Sequence, residues 1–131
     1  MSKVFLSYPH RDSALAARVA EQLAKAGMAV FDPAHDISSE QSWRKKVIAA
    51  IEATDIVALV IGSPDAAASS WITYETGVAE ARGKQVIVLA SHDFALSELP
   101  IELEGYRVVS FDPERPASAA RAVQECLRAT A

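Results

Sequence analysis

The chain has 131 residues, half of them hydrophobic and 23% charged, with a net charge of −4. That length leaves no room for a second core, so residues 1–131 are expected to form a single domain, and the acidic balance argues against non-specific affinity for nucleic acid. One cysteine, Cys126, excludes a disulfide within the chain and a cysteine-built zinc site, as suits a reducing compartment.

The opening residues turn polar by Ser7, too soon for a signal peptide's apolar centre, and no later run approaches a membrane span. A cytoplasmic chain without membrane contact is expected. Val4-Phe5-Leu6-Ser7-Tyr8 predicts a first strand. From Ser13 a helix follows, with Leu15, Val19 and Leu23 at four-residue steps, Ala16 and Ala20 widening the stripe, and Gly27 as its left-handed stop. Ala29-Val30-Phe31-Asp32 is a short second strand ended by Pro33. Ser38 and Gln41 have the spacing of a capping box, opening a helix with Trp43, Val47, Ile48 and Ile51 inward. Arg44-Lys45-Lys46, the only basic run, reads as the solvated side of that helix rather than a phosphate patch.

Asp55 to Ile61 is the most apolar run and lacks polar alternation, as a central parallel strand covered on both faces requires. Gly62-Ser63-Pro64-Asp65 breaks it, and Asp65 to Ser69 reads as a surface loop. A helix from about Ser70 to Arg82 stops at Gly83, and Gln85 to Leu89 is a fourth strand. Ser91 to Gly105 is loop-like, with one short helical turn near Phe94 to Leu99. Arg107 to Phe111 is a fifth strand, and Pro116 suits the first turn of a last helix with Ala119, Val123, Cys126 and Leu127 inward. Five strands alternating with helices predict an α/β three-layer fold, a parallel sheet with helices on both faces.

Several chemistries have no motif here. There is no Gly-x-Gly-x-x-Gly, no Walker-type Gly-Lys-Ser and no Gly-x-Ser-x-Gly. The first and third strands end in Ser7-Tyr8 and Gly62-Ser63, not in the acids of a phosphoacceptor receiver. His10, His35 and His92 lie in separate predicted loops without metal-ligand spacing, so no metal is expected. Trp71 and Glu75 stand four apart after the third strand, and so share a helix face near the sheet's carboxyl edge, where open α/β folds bind ligands. The same pair reads equally as a core tryptophan and a solvated acid. Trp43 has a packing reading too, Asp32 before Pro33 is an ordinary turn residue, and Arg11-Asp12 fits an exposed pair with a helix N-cap.

Taken in order, Phe5-Leu6-Ser7-Tyr8 with His10-Arg11-Asp12, then Val30-Phe31-Asp32 and Ser42-Trp43 form one half of a pattern. Ile61-Gly62-Ser63-Pro64, Ser69-Ser70-Trp71 through Glu75 and Gly83-Lys84-Gln85-Val86-Ile87 complete it. This order resembles the Toll/interleukin-1 receptor (TIR) domain family, especially its bacterial members, over roughly Lys3 to Ala90. The resemblance implies a flavodoxin-like fold and either of two roles. Some members are scaffolds that self-associate or bind partner proteins in immune signalling. Others cleave NAD, as substrate rather than cofactor, to nicotinamide and linear or cyclic ADP-ribose. In those enzymes the essential glutamate matches Glu75, and Trp71 matches a pocket aromatic. Ser7, Tyr8, Arg11, Phe31, Asp32 and Trp43 fall where the family contacts the dinucleotide.

The implied chemistry needs few groups. Breaking the N-glycosidic bond puts positive charge on the ribose, and nicotinamide leaves neutral, so one carboxylate replaces the acid–base pair of glycosidases. Glu75 is expected to be ionised for this, with partial burial beside Trp71 raising its pKa. A rival of the same carboxylate chemistry is a nucleoside deoxyribosyltransferase-like enzyme with a covalent sugar intermediate. The 33–42 loop lacks the glycine many relatives carry there, so oligomer geometry and pocket closure are what the resemblance carries over least.

Overall fold

The computed structural model describes residues 2–32, 43–63, 70–98 and 106–129, except the side chains of His10, Trp43, Arg44, residues 70–74, Leu96 and Ala129. Strands β1 (Lys3–Ser7), β2 (Ala29–Phe31), β3 (Ile56–Ile61), β4 (Gln85–Ser91) and β5 (Arg107–Phe111) alternate with α1 (Ser13–Lys25), α2 (Trp43–Ala53), α3 (Ser70–Ala81) and α4 (Ala117–Ala129). All pairings are parallel, in the order β2-β1-β3-β4-β5. This is the parallel α/β sheet that the alternation of elements predicts, in the flavodoxin-like order that the family resemblance implies.

Periodicity explains the layers. Every residue of β3 is buried, as a central strand with helices over both faces must be. Along β1, Val4 and Leu6 pack with Ala16, Val19 and Leu23 of α1 and with Ala119, Val123 and Cys126 of α4. Phe5, one step out of phase, packs on the opposite face with Val47 and Ile51 of α2 and Ala79 of α3. Helices α1 and α4 thus cover one face, and α2 and α3 the other. Lys45 and Lys46 of α2 are exposed, in keeping with a solvated helix side.

Helix α1 ends at Gly27, whose φ of +89° lets Met28 N–H reach the Leu23 carbonyl at 3.1 Å and Gly27 N–H reach that of Ala24 at 3.0 Å. This double bond is a Schellman closure, and it packs buried Met28 near Leu23. Gly83 (φ +68°) ends α3 in the same way.

Three details differ from the sequence reading. Strand β3 starts at Ile56 rather than Asp55, whose carboxylate instead accepts the Lys3 N–H at 2.8 Å. Strand β4 runs on to Ser91, because Ala90 and Ser91 still find partners in Ser110 and Phe111 of β5. Pro116 precedes α4, its carbonyl accepting from Ala119 N–H at 3.0 Å. Ser38, Gln41 and the whole 33–42 loop lie outside the described residues.

The chain leaves β1 through α1 toward β2, and leaves β3 through α3 toward β4 on the other face. These connections diverge at the β1/β3 boundary, the switch point at whose carboxyl end open α/β sheets carry their ligand crevice.

Candidate active site

Ser7 is the last residue of β1 and pairs in register with Leu59 of β3. Its position in the alternation places it with Phe5, on the face that α3 covers. Helix α3 lies over that face with Glu75 and Ala79, one turn apart, both buried. Glu75 therefore points toward the sheet and exposes none of its surface (0%). The solvated-acid alternative fails for that reason.

Ser7 Oγ donates to Glu75 Oε1 at 2.5 Å, a short bond even for a hydroxyl to a carboxyl oxygen. Oε2 is buried and has no hydrogen-bond partner among the described residues. Burial pushes the Glu75 carboxyl up to about 8, the Ser7 hydroxyl offsets part of that, and the nearby charge of Asp32 adds to it. The sequence reading expected partial burial and an ionised acid. Burial is complete, so the free domain holds this carboxyl protonated at neutral pH.

Two further pairs border the crevice. Tyr8, buried with the α1 side of the core, donates its hydroxyl to Asp32 Oδ1 at 2.7 Å. Asp12 occupies the N-cap position of α1, yet its side chain makes no capping bond. Instead Asp12 Oδ2 accepts the Gly62 N–H at 3.0 Å. A Cβ on residue 62 would stand 2.4 Å from Asp12 Oδ1, so this approach requires glycine. The contact ties the turn after β1 to the end of β3, straight across the crevice.

Among the described residues no group of three or more His, Cys, Asp and Glu side chains is placed to hold a metal. The arrangement is a buried carboxyl with one oxygen fixed by a hydroxyl and the other, equally buried, without a partner among the described residues. It is suited to gripping a sugar hydroxyl or facing a developing cation.

The family model of the TIR domain matches residues 4–127. The chain belongs to the TIR domain family. A comparison with curated proteins finds no match. Among solved structures, this TIR domain is similar in fold to the Clostridium botulinum CMP N-glycosidase BcmB, at 20% identity and a TM-score of 0.62 over 94% of this chain and 98% of that one. It is similar to a 2-deoxyribosyltransferase of Bacillus psychrosaccharolyticus at 19% identity and a TM-score of 0.66, covering 88% and 90%. A metazoan TIR-STING receptor from C. gigas gives 19% identity and a TM-score of 0.69, over 89% of this chain and 38% of that one.

The residues singled out in the sequence divide within the TIR domain. Ser7 meets Glu75, and Tyr8 meets Asp32. Phe31 is half-buried and stacks on Phe5, with ring centroids 5.5 Å apart and planes 21° apart. It also lines a separate cavity of about 450 Å³ between β2 and α2, walled by alanines 29, 49, 50 and 53. Arg11 is exposed on the 3₁₀ turn after β1. In the backbone Trp43 opens α2 and Trp71 is the second residue of α3, but their side chains lie outside the described set. Asp12 is the residue whose task the sequence reading missed, since its partner Gly62 is 50 positions away. No local spacing marks such a contact.

Proposed function

We propose that this TIR domain cleaves NAD at the nicotinamide–ribose bond, with Glu75 as the catalytic carboxylate. The observation that carries the reading is Glu75 itself: wholly buried beside the carboxyl end of β1, held at one oxygen by Ser7, and unpartnered at the other among the described residues. A ribose hydroxyl would supply the donor that Oε2 lacks. The pyridinium cation of NAD would draw the Glu75 proton off, and the resulting carboxylate would stabilise the oxocarbenium-like sugar. The C1′–N bond breaks with its electron pair going to nicotinamide, which leaves neutral. Water adds at C1′ and loses a proton to give ADP-ribose, or an internal nitrogen adds to give a cyclic isomer. Tyr8, Arg11, Phe31, Asp32, Trp43 and Trp71 are the proposed lining, with self-association or a partner protein completing the pocket.

A second reading, an N-glycosidase or transferase acting on nucleosides or nucleotides, is favoured by the near full-length fold likeness to the CMP N-glycosidase. Nicotinamide release by the purified protein at low and high concentration decides between them. Glu75→Gln is expected to lower release at least about 100-fold while circular dichroism stays native. Unchanged turnover in the folded variant removes Glu75 from the reaction. Base release from cytidine nucleotides or deoxynucleosides but not NAD favours the second reading. No release, with concentration-dependent association, leaves a binding scaffold.

A further inference from the structure

Two buried side-chain atoms lack a hydrogen-bond partner among the described residues: Glu75 Oε2 and Ser63 Oγ. Leaving a hydroxyl buried and unpaired is unfavourable, so such groups concentrate where a ligand or a catalytic step will use them. Ser63 is the second residue past β3 and follows Gly62 directly. Gly62 is pinned by the Asp12 carboxylate, with no space left between them. The clamp holds Gly62, and with it the start of the turn that carries Ser63, at the carboxyl end of β3, next to β1, whose last residue Ser7 meets Glu75.

The surroundings select what Ser63 can meet. A backbone N–H at a strand's carboxyl edge is the usual donor to a phosphate. Here the Gly62 N–H is already taken by the protein's own carboxylate. A phosphate at Ser63 would face Asp12 at close range, and would lose rather than gain by it. A neutral sugar or a cationic base has no such conflict.

We propose that Ser63 is a second substrate-contacting residue of the crevice, its hydroxyl bonding the ribose–pyridinium half of the substrate rather than a phosphate. This rests on the NAD-cleaving reading and extends it to the substrate class: N-ribosides of a cationic base, recognised without their phosphates.

The test measures dissociation constants of nicotinamide riboside, NAD and ADP by calorimetry, in Glu75→Gln protein with and without Ser63→Ala. Loss of one neutral hydrogen bond is expected to weaken riboside and NAD by the same factor, roughly 3- to 10-fold, and to leave ADP unchanged. Melting temperature is expected not to fall, because the hydroxyl has no internal partner to lose. Unchanged riboside affinity overturns the proposal. So does a loss confined to NAD and ADP, which assigns Ser63 to phosphate, and so does a lower melting temperature with unaltered affinities. Wild-type protein that binds riboside yet releases no nicotinamide from NAD overturns the NAD-cleaving reading, while the affinities still decide Ser63. Protein that binds neither riboside nor NAD overturns both.

Discussion

Glu75 keeps its proton to about pH 8 because it is sealed from water near a second acid, Asp32. The unfolded chain would release that proton near 4.5. Folding therefore takes up a proton between those values, and the stability this brings is complete below pH 4.5 and gone once pH has climbed through 8. The loss across that window is on the order of 5 kcal/mol. Urea denaturation of wild type from pH 5 to 9 should show this decline, and Glu75→Gln, which cannot titrate, should show a flatter profile. The same acid would govern catalysis with the opposite slope. If the carboxylate form is required, kcat/KM for NAD should rise with pH and level off above about 8. Ser7→Ala removes the hydroxyl that favours the ionised form, so its plateau should begin at higher pH. An unshifted Ser7→Ala profile would separate the reaction from this carboxyl.

The segment from the end of β3 into α3 carries both Glu75 and the Gly62 contact, and it is braced from the turn after β1. Gly62→Ala would drive a methyl into the Asp12 carboxylate, breaking the bond at 3.0 Å. It should lower unfolding free energy by about 1–3 kcal/mol in urea titrations, whereas Asp12→Asn, which keeps an acceptor oxygen, should lower it less. Most of these elements were legible from residue spacing. Leu15, Val19 and Leu23 gave α1 its stripe, the unbroken run to Ile61 announced a central strand, and Gly27 and Gly83 marked helix ends. The setting of Glu75 was less legible. Helix α3 mixes Thr73, Tyr74, Thr76 and Gly77 with its apolar residues, so no clean stripe declared which side faced the sheet. Asp12 looked like a helix cap because caps are local and its true partner is not. Glutamate burial and the Asp12–Gly62 bond both arise from packing between distant segments, and a one-dimensional period does not encode that.

Strands β1, β3 and β4 form a sheet centre with both faces covered, while β2 has three half-buried residues and β5 is mostly half-exposed. Amide hydrogen exchange should follow that gradient. Amides of β3 are expected to exchange only through global unfolding, and those of β2 and β5 through smaller local openings. Equal protection across all five strands would contradict it. The parallel order has a temporal side as well. Ser7 and Glu75 are 68 positions apart and touch only after β1 has found β3 and α3 has docked over both. A ribosome must therefore deliver the chain past α3 before Ser7 and Glu75 can meet, and a nascent or proteolytically nicked fragment ending earlier lacks that pair.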